Sequence, residues 1–388
     1  MQSTAKTDVN EVVSVVDGFD YSTQNETYNS EFKKWRKNSN NPFGFRFKKN
    51  SKEAVFVDGR GFVDNSIAEA EQERISRIFY VIGVAALIWV VVEDFAGKLM
   101  IAALGTLGIN VNTDFFSSVI YGGGAEIVTA LLAITMLKIL LPAYFVHKKM
   151  ALPRRVELMS RMNDPAELVG AIGMALLVCT AVSLPEAYSS ETHEIYSFFN
   201  ALTTDVSVWD QSEFIIYTFF DVVIVSIMTE CFFRGAMFAA LRQFGDPFAL
   251  IMTSVTAALL TQDVREIPAV LLISLVAGFG MLRSGSLFTA AAVQVIYKMY
   301  LLALAILEGN TSDNMLIMRN AFMLAAGIAG AAAMLCVLLS KKRRGKTKLA
   351  VYRSEQKEGE RILAAFRTFP YSIVMGICLL YAVIRAVV

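Results

Sequence analysis

Residues 316–340 read LIMRNAFMLAAGIAGAAAMLCVLLS, and the basic run KKRRGK follows at 341–346. Arg319 is the one charge in the apolar stretch. As a helix rising ~1.5 Å per residue, such a stretch is long enough to cross a ~30 Å hydrocarbon layer. The lysines and arginines behind it mark the end that stays on the cytoplasmic side. The same grammar recurs outward from this segment. Apolar runs stand near 76–93, 125–146, 166–184, 213–241, 247–262, 266–283, 286–307 and 370–387, the fifth of the nine being short. The expected fold is therefore all-α, a polytopic transmembrane helix bundle of about 8–9 spans. The segment 95–110 is apolar enough to lie in the outer interface.

Composition agrees. The chain has 388 residues, 55% hydrophobic and 18% charged, where a soluble domain carries about 25% charge. A net charge of +1 gives no global basic excess, so no nucleic-acid partner is expected. Cys179, Cys231, Cys336 and Cys378 all fall inside apolar blocks and read as small packing residues rather than a disulfide framework. The polar opening stretch predicts an uncleaved first anchor. The last four residues, Arg-Ala-Val-Val, lack the cysteine that prenylation needs.

Basic clusters at 33–52, 147–161, Arg234–Arg242, Arg283 and 341–347 alternate with acidic loops at 185–213 and 308–314. Nine spans satisfy that alternation with the N-terminus cytoplasmic and the C-terminus outside, in a plasma or cytoplasmic membrane. The division expected is a polar N-terminal tail at 1–65, N-terminal helices and outer loops at 66–212, a motif-bearing core at 213–307 and C-terminal helices with a basic connector at 308–388. The tail reads as irregular, with no apolar period to build a core. Its basic and aromatic residues interleave at Lys33–Lys37 and Phe43–Lys49. Such a pattern suits contact with anionic lipid, or is ordinary positive-inside charge.

Ionisable residues inside spans are costly and mark candidate sites. They are Lys138, Asp221, Glu230, Arg234 and Lys298. Glu230 and Arg234 are four apart, so they share a helix face and can pair. Lys298 lies about 18 Å into its span. It needs a carboxylate partner, with Glu230 or Asp221 available, and a structural ion pair fixing helix register would explain it equally well. Gly170, Gly173, Gly327 and Gly330 bring small residues to helix faces for close packing. Of the two histidines, His147 flanks a basic loop and reads as a solvated interfacial residue, and His193 falls in an outer loop.

The stretch Thr229-Glu230-Cys231-Phe232-Phe233-Arg234-Gly235 resembles the first motif of the CPBP family, the CAAX proteases and bacteriocin-processing intramembrane proteases. Arg283-Ser284-Gly285-Ser286-Leu287-Phe288 resembles the start of the family's last motif helix. The resemblance covers about 70 residues and implies a membrane-embedded core whose glutamates and histidines hold a hydrolytic centre facing the cytoplasmic half of the bilayer. This chain departs from it. Thr229 stands at the first glutamate, Thr261 or Gln262 at the second-motif histidine, Gln294 at the third-motif histidine and Lys298 at the asparagine, leaving Glu230 and Arg234 as motif remnants. A hydrolase needs a base, oxyanion stabilisation and a water route, and a metal centre needs about three ligands. The expectation is thus no cofactor, no metal and no confident catalytic residue. The chain reads as a pseudoenzyme serving as scaffold or binding subunit for a membrane protein partner or transmembrane segment. The alternatives are a protease with a non-standard active site and a transporter or channel.

Overall fold

The computed structural model describes residues 26–38, 40–45, 55–57, 61–63, 67–113, 119–187, 203–204, 209–308, 314–341 and 356–387. The basic-aromatic stretch at 46–49, His193 and the basic run at 342–347 lie outside these residues. Helices dominate. Among the described residues eight are long and apolar enough to cross a membrane, and the chain is a multi-pass integral membrane protein. The ninth expected span is α10, Asp246–Leu259, with 14 residues. Its length of about 21 Å falls short of a ~30 Å crossing.

In chain order, α1 is Glu26–Lys37, and a small antiparallel hairpin pairs β1 (Val55–Val57) with β2 (Gly61–Val63). Then α2 (Ile67–Val91) runs through a π turn at Val92–Ala96 into α3 (Gly97–Thr106). The expected interfacial segment at 95–110 is therefore mostly a continuation of the first helix, because no proline or capping residue interrupts it. Beyond it, β3 (Val111–Thr113) pairs antiparallel with β4 (Val119–Gly122), which pairs parallel with β5 (Thr203–Thr204). Ile101, Val111, Ile120, Leu131 and Ile134 form a separate apolar cluster under this sheet.

The main bundle continues with α4 (Gly124–Met150), α5 (Arg154–Glu157) and α6 (Pro165–Ala187). Next comes the continuous helix Gln211–Phe244. Two π turns divide it into α7 (Gln211–Phe219), α8 (Ser226–Glu230) and α9 (Phe238–Leu241). After α10 follow α11 (Glu266–Ser284), α12 (Leu287–Glu308), α13 (Met315–Lys341), α14 (Glu358–Phe366) and α15 (Phe369–Val387). Large apolar side chains such as Ile317, Leu324, Ile328 and Leu339 of α13 face outward, as a lipid-facing helix requires.

Glycines set two of the closest helix crossings. A Cβ on Gly173 of α6 would stand 2.9 Å from the Gly330 carbonyl oxygen of α13, and one on Gly330 would stand 2.7 Å from that of Gly173. The small-residue motifs thus pack against one another, as read from the sequence. On the other side, a Cβ on Gly83 of α2 would lie 2.4 Å from the Tyr371 backbone nitrogen of α15.

One expectation for the tail is corrected. Residues 26–37 are not irregular: they form α1, which docks on the bundle and buries Tyr28, Phe32 and Trp35. Those residues are spaced i, i+4, i+7, one helical stripe. Trp35 Nε1 donates to the Met150 carbonyl at 2.9 Å, and Phe45 N donates to Gln243 Oε1 at 2.7 Å.

Gly83→Ala should lower the thermal unfolding temperature in detergent, since over-packing a backbone contact costs about 1–3 kcal/mol. Gly376→Ala, whose Cβ meets nothing within 4 Å, should melt like the wild type.

Candidate functional site

The helix carrying the first motif starts at Gln211, where the Glu213 carboxylate accepts the Asp210 N–H at 2.9 Å and closes a capping box. Lower down it widens into π turns at Phe220–Val225 and Cys231–Met237. A π turn inserts one extra residue and re-aims the side chains around it. Asp221 lies in the first such turn and Arg234 in the second, while Glu230 immediately precedes the second.

Glu230 and Arg234 pair as the i, i+4 spacing predicts, Nη1 to Oε1 at 3.2 Å, with both side chains 0% exposed. The second guanidinium nitrogen donates to the Ser274 carbonyl of α11 at 2.6 Å. Gln294 of α12 approaches the same carboxylate, whose Oε2 takes no well-formed hydrogen bond among the described residues. Thr229 turns back on its own helix, donating to the Val225 and Ser226 carbonyls at 2.9 and 3.0 Å. It is not aimed at the carboxylate as a nucleophile.

Lys298 has a carboxylate partner, and of the two available it takes Asp221. Its Nζ donates to Asp221 Oδ1 at 2.8 Å and to the Asp221 backbone carbonyl at 2.9 Å. The asparagine position is thereby drawn away from Glu230 into a helix-to-helix clasp. The second-motif positions are drawn away too. Thr261 bonds the Ala258 carbonyl at 2.7 Å, and Gln262, at φ 55°, donates to Asp94 Oδ2 at 3.2 Å.

A second buried polar group forms around Lys138, whose acidic partner was not read from the sequence. Lys138 Nζ lies 3.2 Å from Glu93 Oε1, Trp89 Nε1 donates to the other Glu93 oxygen at 3.1 Å, and the ammonium stands 5.3 Å from the Trp89 ring centroid. Glu93 and Asp94 fall at the end of the first apolar run, where a carboxylate reads as a span boundary. The available signal was Lys138 itself, which required a buried acid.

His147 is not simply solvated, since it stands 2.7 Å from Glu157. Burial pushes the Glu157 carboxyl above its ordinary range, and the His147 hydrogen bond pulls the other way. The α5 turn that carries Glu157 rests on the motif helix: a Cβ on Gly235 would lie 3.0 Å from the Glu157 carbonyl.

Chemically, the Glu230 centre offers one carboxylate, one guanidinium and one primary amide, the carboxylate and guanidinium fully buried. A guanidinium occupying one carboxylate oxygen opposes a metal cation, so these residues do not fit a catalytic metal. Among the described residues no group of three or more His, Cys, Asp or Glu is placed to hold one.

The Lys298–Asp221 clasp gives a stability test. Lys298→Met leaves a buried carboxylate without its cation and should cost about 3–5 kcal/mol. Adding Asp221→Leu should return most of that loss in thermal unfolding, and a double variant as weak as the single one would show that the pair is not coupled.

Compared with known proteins, neither the curated proteins nor the solved structures give a match. Residues 211–300 match the family model described as Rce1-like, type II CAAX prenyl endopeptidase Rce1-like. The matched stretch begins at the Glu213-capped helix and ends just past Lys298, so it holds Glu230, Arg234, Gln294 and the Lys298–Asp221 clasp. Over those residues this multi-pass membrane protein is similar to the Rce1-like family model.

Proposed function

We propose that the chain is a catalytically degenerate CPBP-type membrane protein acting as a scaffold or binding subunit of a membrane complex. The observation that carries this reading is the closure of Glu230. Its carboxylate is 0% exposed and ion-paired to Arg234, so it is held away from water. A general base must reach the proton it abstracts, directly or through one water. The residues that would complete a hydrolytic centre are Thr229, Gln262, Gln294 and Lys298. Three of them are committed elsewhere by hydrogen bonds of their own, Thr229 to the Val225 and Ser226 carbonyls, Gln262 to Asp94 and Lys298 to Asp221. What the core retains is a set of helix-to-helix polar contacts and a large apolar exterior, the parts needed to hold another transmembrane segment. The partner in this reading is a membrane protein.

One feature favours a protease with a non-standard site. Glu230 Oε2 and Arg234 Nε are buried polar atoms without hydrogen-bond partners. A water admitted by a helix movement would find both of them, together with Gln294.

Mild-detergent affinity purification with mass spectrometry, on wild type and on Glu230→Ala/Arg234→Ala, separates the two readings when paired with cleavage of a prenylated CAAX peptide. The scaffold reading expects a stoichiometric membrane partner, no cleavage above the double variant's background and no stoichiometric zinc in the purified protein. Cleavage that disappears in Glu230→Gln would replace it with the protease reading.

A further inference from the structure

At the end of the bundle that carries Arg154, Arg155 and Arg161, a cavity of about 240 Å³ opens between α1 and the loop leading into α6. Thr27 and Tyr28 line one side, Arg155, Ser160 and Arg161 the other, and Gly285 the floor. At ~30 Å³ per water, this is room for about eight waters, large enough for an anionic group with its hydration, and the apolar part of the lining comes from Leu158 and Met159.

We propose that this cavity binds a phosphate-bearing anion, either the headgroup of an anionic phospholipid or a soluble phosphate. Three observations beyond the presence of surface arginines carry the proposal. First, the cationic groups have capacity to spare. Arg161 has no hydrogen-bonding or ionic partner among the described residues, and Arg155 meets only Glu31, at 3.4 Å and 70% exposed. Second, the loop offers backbone donors. The N–H groups of Ser160 and Arg161 make no backbone hydrogen bond among the described residues, while the flanking chain is fixed by Leu287 N to the Met159 carbonyl at 2.7 Å and Asn163 N to the Ser284 carbonyl at 2.9 Å. Free N–H groups on a fixed loop beside guanidinium groups form the kind of concavity that holds oxyanions. Third, the acids nearby do not neutralise the site. Asp246 is taken up by Arg242 at 2.7 Å behind Tyr28, which leaves Glu31 as the carboxylate paired at the rim. Burial raises the Tyr28 phenol above its ordinary range, so it stays neutral and adds no competing negative charge.

The ligand would touch three parts of the fold at once: α1, the 158–161 loop and the Gly285 turn that leads into the last motif helix. Gly285 adopts φ 78°, a left-handed conformation that lets the turn expose its backbone there. An anion seated here would fasten the docked N-terminal helix to the Rce1-like core. This inference does not depend on whether Glu230 is catalytic.

The test uses the full chain in detergent and native mass spectrometry with phosphatidylglycerol and phosphatidylcholine of matched acyl chains. Isothermal titration with inorganic phosphate and pyrophosphate forms a second arm. If the source is lipid, one phosphatidylglycerol per chain is retained over phosphatidylcholine, and Arg155→Ala/Arg161→Ala weakens it about fivefold or more. If the source is soluble, saturable phosphate or pyrophosphate binding takes its place and is lost in the same variant. Lys148→Ala/Lys149→Ala removes the same charge outside the cavity and should leave either binding unchanged. Arg161→Lys should keep most of it. Both arginines are exposed, so the double variant should fold and melt like the wild type; should it not, Arg161→Gln alone must still weaken binding. Equal binding by wild type and the arginine variants, or no saturable anion binding in either arm, overturns the proposal.

Discussion

A cation taken out of water and away from lipid headgroups must find a carboxylate or carbonyl close by, and this requirement fixes much of how the helices stand against each other. Lys298 of α12 meets both the side chain and the backbone carbonyl of Asp221. Lys138 of α4 meets Glu93 beyond α2. Arg234 reaches across to the Ser274 carbonyl of α11, and Arg283 of α11 makes two hydrogen bonds at 3.1 Å to Glu167 of α6. Arg361 of α14 lies 2.6 Å from Glu71 of α2 and also donates to the Phe244 carbonyl at 3.3 Å. Helices whose apolar faces have no preference for one another over lipid gain their register from contacts like these, together with the glycine crossings. Each pair contributes little net stability beyond what its desolvation costs, but breaking one leaves a buried charge unmatched.

The π turns follow from the same constraint. An ordinary helix points residues i and i+4 along one face, and a long helix must still place Asp221 toward α12 and Arg234 toward α11. Widening the helix at Phe220–Val225 and again at Cys231–Met237 supplies the rotation. The third π turn, Val92–Ala96, presents Glu93 to Lys138 and Asp94 to Gln262 in consecutive positions. Gln262 in turn closes the far end of the half-length helix α10. A backbone that stops at membrane depth needs polar partners inside the protein, and the Gln262 carbonyl and amide find them in Arg385 and Asp94, at 3.5 and 3.2 Å.

Hydropathy and charge alternation were enough to read the helical bundle, because a span declares itself locally within some twenty residues. The Glu230–Arg234 pair was legible for the same reason, being a spacing on one helix. Partner choice was not: the depth of Lys298 demanded a carboxylate, but Asp221 and Glu230 are both on the same long helix, and only the fold decides which of them reaches Lys298. The docking of α1 was legible in principle from Tyr28, Phe32 and Trp35 at i, i+4, i+7, a stripe masked by the lysines between them. Glu93 was hidden by the convention that an acid ends a span. The anion cavity joins residues 27, 161 and 285, far apart in the chain, and no local pattern announces it.

The presence of Glu230 beside Arg234 does not require catalysis to explain it. Arg234 holds α11 through the Ser274 carbonyl, and a guanidinium 0% exposed must have an anion beside it. Replacing Glu230 alone would strand Arg234, and replacing Arg234 alone would strand Glu230, so each keeps the other in place by the cost of an uncompensated buried charge. The histidine and asparagine positions of the resemblance carry no such mutual constraint here. Gln294 is a neutral amide that approaches Glu230 without adding charge, and Lys298 is paired with Asp221 on the motif-bearing helix. On the proposed scaffold reading, Glu230 and Arg234 are kept because each neutralises the other, while Thr229, Gln262 and Lys298 make their contacts elsewhere.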